Sequence, residues 1–245
     1  VRQNAFENVS AKVYCQTEIL SKTENVEKKL GTTTEIVSFE KYPIATQCSD
    51  INTKAWYIEY VQDVYDRELM TGSDGSFKPN DNVTRAQFIT TLYRLAGEPA
   101  VTDWKALKEF ADVGTGKYYT DSVCWAYSKG IATGNNGKFD PTGKLTRQQM
   151  ATFFFRYAGV MGLDTMTRGD ISSMLNAEKV SGYATDAVEW AVGVGLISGS
   201  DVTVNGTTLK DLKPRGNTTR AQVATILKRF CEDVAVNGDG EECEH

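Results

Sequence analysis

The chain has 245 residues, of which 40% are hydrophobic and 24% charged, so it is long enough to bury one sizeable core or several small ones. Its net charge of -5 argues against a nucleic-acid-binding protein, which typically carries a basic surplus, and no apolar run approaches the ~20 residues of a membrane span. The only histidine is the last residue, His245, which excludes histidine-based catalysis and histidine metal sites from the folded part of the chain.

Residues 1–47 form a polar segment rich in Thr, Glu and Lys. The chain begins at Val1 without a signal-peptide pattern, which indicates a mature form or an excised fragment. Two short runs, 13–15 and 35–39, are compatible with strands that flank a turn at Gly31. The segment is therefore either a small hairpin or a linker from an upstream domain, and both interpretations stay open.

The five cysteines contain no Cys-x-x-Cys pair. Since no histidine is available to complete a zinc site, we expect no metal and no other cofactor. Cys15 with Cys48 and Cys231 with Cys243 are conceivable disulfides, and small buried thiols are the alternative.

An internal repeat begins near residue 48. Residues 56–97 align with residues 118–159 at a constant offset of 62 positions and without gaps. The matched positions include turn residues as well as helix residues, among them Gly72 with Gly134, Phe77 with Phe139, Pro79 with Pro141, and Arg85 with Arg147. Agreement at so many positions predicts a repeat architecture.

A third copy follows with a longer loop. Trp125 matches Trp190 at an offset of 65, whereas Arg147 matches Arg220 at an offset of 73. The eight additional residues predict an insertion at about 201–210, which a surface loop accommodates at little cost in free energy. Residues 232–245 form an acidic tail.

Each copy predicts a helix, a glycine loop, a short extended piece and a second helix. Glycine is predicted to end the first helix as a C-terminal cap, at Gly72, Gly134 and Gly199. The second helix opens with Thr-x-x-Gln, the pattern of a capping box in which the threonine oxygen accepts from the amide three residues on and the glutamine reaches back. These sequences start at Thr84, Thr146 and Thr219.

An arginine follows the threonine in every copy, at Arg85, Arg147 and Arg220. A cation in the first turn opposes the helix dipole and costs ~0.3–1 kcal/mol, so its recurrence needs a reason. One explanation is an anion site built from the guanidinium and free helix amides. The other is a structural arginine that pairs with an acidic residue of the neighbouring copy or stacks on an aromatic ring. Three further arginines lie late in their helices, where a cation is favourable, and need no functional explanation: Arg94, Arg156 and Arg229.

The order of these motifs resembles the S-layer homology (SLH) family. The family opening, Phe-x-Asp-Val, is present at 110–113 and degraded at 174–177, and the family turn, Gly-Ile-x-x-Gly, is present at 130–134. The family tryptophan position holds Trp56, Tyr118 and Tyr183. The resemblance extends over about residues 48–231.

This resemblance implies a mainly α-helical fold in which three SLH modules pack as a pseudo-threefold helical bundle. The modules would occupy residues 48–97, 109–160 and 161–231, with a linker at 98–108 and an N-terminal extension at 1–47. It also implies an extracellular, non-catalytic anchor on the bacterial cell wall. The ligand would be a pyruvylated secondary cell-wall polysaccharide, whose carboxylate suits an arginine site between modules. The ligand-binding positions implied by the family motifs are Arg85, Arg147, Arg220, Gly72, Gly134, Gly199, Trp56, Tyr118 and Tyr183.

Some residues depart from the family pattern. All three capping boxes carry Gln where the family prefers Glu, Gln148 replaces the usual Ala, and the third copy has Leu212 for Phe and Asn176 for Asp. The resemblance implies one groove between each pair of neighbouring modules. We therefore expect the grooves that contain Arg85 and Arg147 to bind the polysaccharide more readily than the groove that contains Arg220. The alternative function is an adhesin, in which segment 1–47 or the insertion contacts a host or bacterial protein. An enzyme is the weakest interpretation, because no Ser-His, Cys-His or metal-ligand set is available.

Overall fold

The computed structural model describes residues 26–30, 33–37 and 41–234, without the side chains of the first two ranges or of Asp233. The chain divides into two compact units, Val1–Lys78 and Pro79–His245. None of the helices in the described ranges is long and apolar enough to cross a membrane.

The first unit contains a hairpin and two helices. Strand β1 (Val26–Leu30) pairs antiparallel with β2 (Thr33–Val37), which overlaps the strand predicted at 35–39. The strand predicted at 13–15 lies outside the described residues. Helices α1 (Ile44–Gln47) and α2 (Ile58–Asp66) follow, and the amide of Ile44 donates to Oε1 of Gln62 at 3.0 Å.

The second unit is mainly helical. Its elements are α3 (Arg85–Leu95), α4 (Ala106–Glu109), α5 (Thr120–Ser128), α6 (Arg147–Val160), α7 (Thr185–Gly193), the hairpin β3 (Ser200–Val204) and β4 (Thr207–Asp211), and α8 (Arg220–Arg229). A chain of buried aromatic rings joins the helices that begin with arginine. The Phe154 ring lies 5.2 Å from that of Phe88 and 5.0 Å from that of Phe230, which directly follows α8.

The repeat extends ahead of residues 48 and 109. Helices α1 and α4 lie 62 positions apart, the offset of the first two copies, and α4 begins within the segment 98–108 that was predicted as a linker. The unit boundary at Lys78 falls inside the segment predicted as the first module, because α3 packs against α5 and α6 of the second unit.

The predicted capping boxes are confirmed at α3, α6 and α8. In each, the threonine side chain accepts from the glutamine amide three residues later, and the glutamine side chain accepts from the threonine amide. Two first-turn donors are thus satisfied within each helix start.

The predicted glycine caps are wrong, because α2, α5 and α7 end well before Gly72, Gly134 and Gly199. The residue that follows each helix cap has the positive φ of a helix C′ position: Glu68 (57°), Gly130 (72°) and Gly195 (78°). Behind α5, for example, the Gly130 amide donates to the carbonyl of Tyr127 at 2.9 Å, and the Ile131 amide donates to that of Ala126 at 2.8 Å.

The insertion of the third copy is a lengthened β-hairpin. In the second copy, Asn135 and Lys138 bridge around a two-residue turn whose residues both have positive φ. In the third copy the same kind of turn, 205–206, joins β3 to β4, which pair from Ser200 with Asp211 to Val204 with Thr207. Each arm has gained four residues, and an even number keeps every side chain on its own face.

A closed ring of backbone hydrogen bonds ties together the starts of α3, α6 and α8. The amide of Val83 donates to the carbonyl of Thr218, the amide of Thr218 to that of Leu145, and the amide of Leu145 to that of Val83, each at 2.9 Å. All three residues are buried. The ring therefore fixes the three arginine-bearing helix starts beside one another.

Three cysteines of the described residues, Cys48, Cys124 and Cys231, are buried. Cys15 and Cys243 lie outside the described residues, so both conceivable disulfides stay predictions. Within the part of the chain that the structure describes, no group of three or more His, Cys, Asp or Glu side chains is placed to hold a metal ion.

Candidate ligand-binding grooves

The first-turn amides of the arginine-bearing helices are used for packing. In α3, the amide of Arg85 donates to the carbonyl of Gly143 at 2.9 Å, and the amide of Ala86 donates to that of Pro141 at 3.1 Å. The amides of the matching residues in α6 and α8 bond in the same way to Gly216, Pro214, Asp81 and Pro79. The expectation that free helix amides contribute to an anion site is therefore wrong, since these amides hold loops of other copies.

The Arg85 side chain has a structural half and an open half. Its Nε donates to the carbonyl of Phe139 at 2.8 Å, and its guanidinium lies over the rings of Phe139 and Phe153, 5.0 and 5.2 Å from their centroids. Its two terminal nitrogens make no hydrogen bond or ion pair to any residue that the structure describes. Neither nitrogen belongs to the buried side-chain atoms that lack a partner, so both stay accessible to solvent. Stacking on aromatic rings and a free donor edge for an anion thus coexist in one side chain.

The charge of Arg85 is only partly compensated. Burial lowers the pKa of Arg85, while the nearby groups of Asp140, Tyr183 and Asp112 oppose that change. Arginine stays protonated in proteins, so the group carries a cation with reduced hydration. A bound anion would restore part of the interaction energy that burial removes.

Arg147 makes the same kind of backbone contact at the start of α6. Its Nε donates to the carbonyl of Leu212 at 3.0 Å, the position that matches Phe139. Burial lowers the pKa of Arg147, and the carboxylate of Asp211 opposes that change. Arg220, at the start of α8, is half-buried, and its amide donates to the carbonyl of Asp81 at 2.9 Å.

The three aromatic residues at the family tryptophan position lie on the surface. Trp56, Tyr118 and Tyr183 have 64%, 67% and 57% of their surface exposed, although an aromatic residue at a helix start is more often part of the core. The Tyr118 hydroxyl lies within interaction distance of the Thr84 side chain, at the start of α3. Tyr183 is close enough to interact electrostatically with both Arg85 and Arg156.

The predicted site glycines have packing roles in the described contacts. A Cβ on Gly72 would lie 2.7 Å from the Sγ of Cys48, and one on Gly199 would lie 2.7 Å from the Cε of Met174. At Gly134, where φ is 64°, a Cβ would strike the ring of Phe110. Each glycine thus leaves room for the first residue of the family opening in its own copy, which is Cys48, Phe110 or Met174.

The aspartate of that opening is a structural residue that our sequence analysis did not single out. The Asp112 carboxylate accepts from the amides of Phe139 and Asp140 at 2.9 and 2.7 Å. In the first unit, Asp50 does the same for the amides of Phe77 and Lys78 at 2.8 and 2.6 Å. These bonds shape the segment whose carbonyl, at Phe139, receives the Nε of Arg85.

The third copy has moved this carboxylate to another position. Asn176 replaces the aspartate, and its Nδ2 donates to Asp211 Oδ1 at 2.7 Å. The same carboxylate oxygen accepts from the amide of Lys213 at 3.0 Å. The altered opening is therefore compensated from strand β4, by a pairing of two residues that lie 35 positions apart in the third copy.

Arg156 is the second residue that sequence reasoning missed. Its Nη1 donates to the carbonyl of Ile131 at 3.1 Å and to the hydroxyl of Thr133 at 3.2 Å. Burial lowers the pKa of Arg156, and the nearby Tyr183 opposes that change. Its position near the end of α6 explains why a cation is favourable there. Only the tertiary structure shows that it lies near Tyr183.

Comparison with known proteins agrees with the motifs. The model of the S-layer homology domain matches residues 49–89 and 109–151. The endoglucanase of Bacillus sp. (strain KSM-635) is 30% identical over 189 residues, which are 76% of this chain and 19% of that protein. The amylopullulanase of Thermoanaerobacterium thermosulfurigenes is 26% identical over 178 residues, which are 72% of this chain and 9% of that protein.

A surface-layer protein aligns over the same region. The surface-layer 125 kDa protein of Lysinibacillus sphaericus is 29% identical over 207 residues, which are 82% of this chain and 16% of that protein. The chain therefore spans less than a fifth of the length of each of these three relatives.

Proposed function

Because this chain belongs to the S-layer homology family of cell-surface proteins, we propose that it is a non-catalytic anchor that binds an anionic polysaccharide of the bacterial cell wall. The observation that carries this proposal is the open guanidinium edge of Arg85, whose other half is fixed by Phe139 and Phe153. A half-buried cation held rigidly pays little entropy when it grips a carboxylate.

The different names of the proteins that share this segment support an anchor rather than an enzyme. The aligned segment is shared by proteins named as an endoglucanase, an amylopullulanase and a surface-layer protein, and it is a minor part of each. A segment common to proteins with such different names is better explained by a shared location than by a shared reaction.

We place a third SLH module at residues 161–231 and propose that the three modules pack with pseudo-threefold symmetry. The ring formed by Val83, Leu145 and Thr218 supports this arrangement, because each copy contributes one donor and one acceptor. The third capping box, at Thr219, also supports it.

The groove of Arg85 offers the chemistry that a pyruvylated sugar needs. Arg85 and Arg156 supply two cations for a carboxylate, and the exposed ring of Tyr183 supplies a flat face for the apolar side of a pyranose. The groove of Arg147 is the second candidate site. Trp56 and Tyr118 stay candidate sugar-contacting residues, and their exposure supports that role. We rank the groove of Arg220 third.

The test is calorimetric titration with purified wall polysaccharide, native and after chemical removal of pyruvate. Arg85→Lys and Arg147→Lys keep the charge but lose the planar donor fork, so each should weaken binding about 10- to 100-fold, the range expected for hydrogen bonds to a charged group. The double Ala variant should abolish measurable binding. The exposed Lys129→Ala serves as a charge control and should leave the Kd unchanged.

Two results would contradict the proposal. Unchanged binding by the folded double variant would refute the arginine sites. Equal binding of the depyruvylated glycan would refute the pyruvate specificity while leaving wall anchoring in place.

The adhesin alternative is favoured by one observation, the exposed hairpin of β3 and β4 with Val204 39% exposed at its tip. Deleting residues 201–204 and 207–210 would shorten it to the length found at 135–138 while preserving the turn at 205–206. An anchor should still bind glycan after this deletion, whereas an adhesin that uses the hairpin should lose its protein partner.

A further inference from the structure

We propose that Gln148 is a positioning residue that holds Tyr183 in the groove of Arg85 and thereby determines how tightly this groove binds glycan. The inference rests on the proposed function and goes beyond it, because Gln148 belongs to none of the positions that the family motifs assign to the ligand. Its side chain acts from helix α6 on a segment 33 residues further along the chain.

Gln148 binds that segment at two points. Its Nε2 donates to the hydroxyl of Ser181 at 3.1 Å, and its Oε1 accepts from the Ser181 amide at 3.0 Å. The glutamine is 6% exposed, so both bonds are shielded from water. A buried amide with both ends satisfied fixes its partner in one orientation.

Ser181 is the residue from which Tyr183 is presented. It precedes a short 3-10 turn, Gly182–Ala184, that leads directly into α7. Tyr183 lies in the middle of that turn and the residue is 57% exposed, so few contacts of its own hold the side chain. The turn packs against α6, the helix that carries Arg156, so the position of the Tyr183 ring relative to Arg85 and Arg156 depends on where the turn is held.

The second copy uses a local bond at the matching place. There, the amide of Lys117 donates to the hydroxyl of Thr120 at 3.0 Å, and this hydroxyl donates to the carbonyl of Gly114 at 2.8 Å. Thr185 occupies the matching position in the third copy and makes no such side-chain bond to the described residues. Gln148 therefore supplies from another helix the restraint that the third copy lacks.

The positions that match Gln148 in α3 and α8 are Ala86 and Ala221, each 1% exposed. Neither alanine has a side chain able to hydrogen-bond, so the restraint is specific to the groove that contains Tyr183. This explains a departure from the family pattern that capping and core packing leave unexplained.

The experiment is a double-mutant cycle measured by calorimetric titration with purified wall polysaccharide. Gln148→Met keeps the shape of the side chain and removes both bonds, and it should raise the Kd at this groove about tenfold, the scale of two neutral hydrogen bonds. In a Tyr183→Ala background the same substitution should produce no further change, because its effect acts through the ring. A purely structural role would weaken binding equally in both backgrounds.

A matched control and a milder variant protect the test against misfolding. Gln62→Met makes the same substitution at another buried glutamine, 7% exposed, in the first unit, and should leave the Kd unchanged. Ser181→Ala removes only the bond to Nε2 and should weaken binding about threefold.

The outcomes separate this inference from the proposed function. If the parent protein does not bind the glycan, the proposed function fails, and if Arg85→Lys binds as the parent does, the Arg85 site fails. If Arg85→Lys weakens binding but Gln148→Met and Ser181→Ala do not, or if Gln148→Met and Tyr183→Ala are additive, only the positioning role fails.

Discussion

Thr218 occupies one of the three positions of the hydrogen-bonded ring, and its hydroxyl has no hydrogen-bond partner among the described residues. Its side chain is completely buried, and its Oγ1 makes no hydrogen bond to any described residue. The first copy has Val83 at the matching position, with the same backbone bonds and the same burial. We therefore predict that Thr218→Val stabilises the protein.

The magnitude follows from what the substitution changes. Valine and threonine have nearly the same shape and the same preference for extended backbone, so packing and the ring bonds are retained. Burying an unpaired hydroxyl costs ~1–3 kcal/mol, of which we expect about 1 kcal/mol to be recovered. For a unit of this size that gain raises the Tm by roughly 2–4 °C.

The assay is thermal unfolding followed by circular dichroism and calorimetry, with Thr225→Val as the matched control. Thr225 is also buried, but its hydroxyl donates to the carbonyl of Ala221 at 3.0 Å, so its removal should bring no gain. The reasoning is refuted if Thr218→Val lowers the Tm, or if both variants shift it by the same amount.

Two further predictions concern the loops beside the grooves. Gly134→Ala should destabilise the fold by more than about 2 kcal/mol, because its φ of 64° disfavours a side chain and the new Cβ meets the ring of Phe110. Gly137→Ala is the control, since Gly137 shares the positive φ but its Cβ would have an ordinary contact of 3.6 Å. Comparing the two variants in denaturant titrations separates backbone strain from steric collision. Hydrogen bonding from Asn176 lowers the pKa of Asp211 in the folded state, so its stabilising effect is present above the unfolded pKa of about 3.9 and is lost as the pH falls through the folded pKa. Asp211→Asn should therefore differ most in stability from the parent at neutral pH and converge with it in acid, and a constant difference across denaturant titrations from pH 2 to 7 would contradict this assignment.

Sequence patterns predicted the features that arise within a few residues of chain. The capping boxes at Thr84, Thr146 and Thr219 depend on residues three positions apart, so local spacing was sufficient. The length of the insertion followed instead from the change in offset between the second and third copies, and the hairpin of β3 and β4 agrees with it. The glycine caps failed because Gly134 and its equivalents are required by a distant contact, the approach of the opening segment, and not by the helix that precedes them.

The arginine sites show where local reasoning ends. Position alone could not reveal that the amides of Arg85 and Ala86 are taken by the carbonyls of Gly143 and Pro141, because these partners lie more than fifty residues away. The nearness of Arg156 to Tyr183 could not be read from the sequence for the same reason. The arginine side chains therefore stay predicted ligand contacts, and only the structure shows that their first-turn amides are already bonded to other loops.

The backbone ring at Val83, Leu145 and Thr218 has a consequence for how the protein folds. Its most distant bond joins Val83 to Thr218, which lie 135 residues apart, so the ring cannot close until nearly the whole described chain has been synthesised. Contacts of such separation slow folding, because the entropy of closing the loop is lost before the bonds form. A chain cut between α6 and α8 would leave the Val83 amide without its acceptor and the Leu145 carbonyl without its donor. The starts of α3 and α6 would each lose one backbone partner in a chain truncated there, so we expect the truncated chain to be less stable than the intact one.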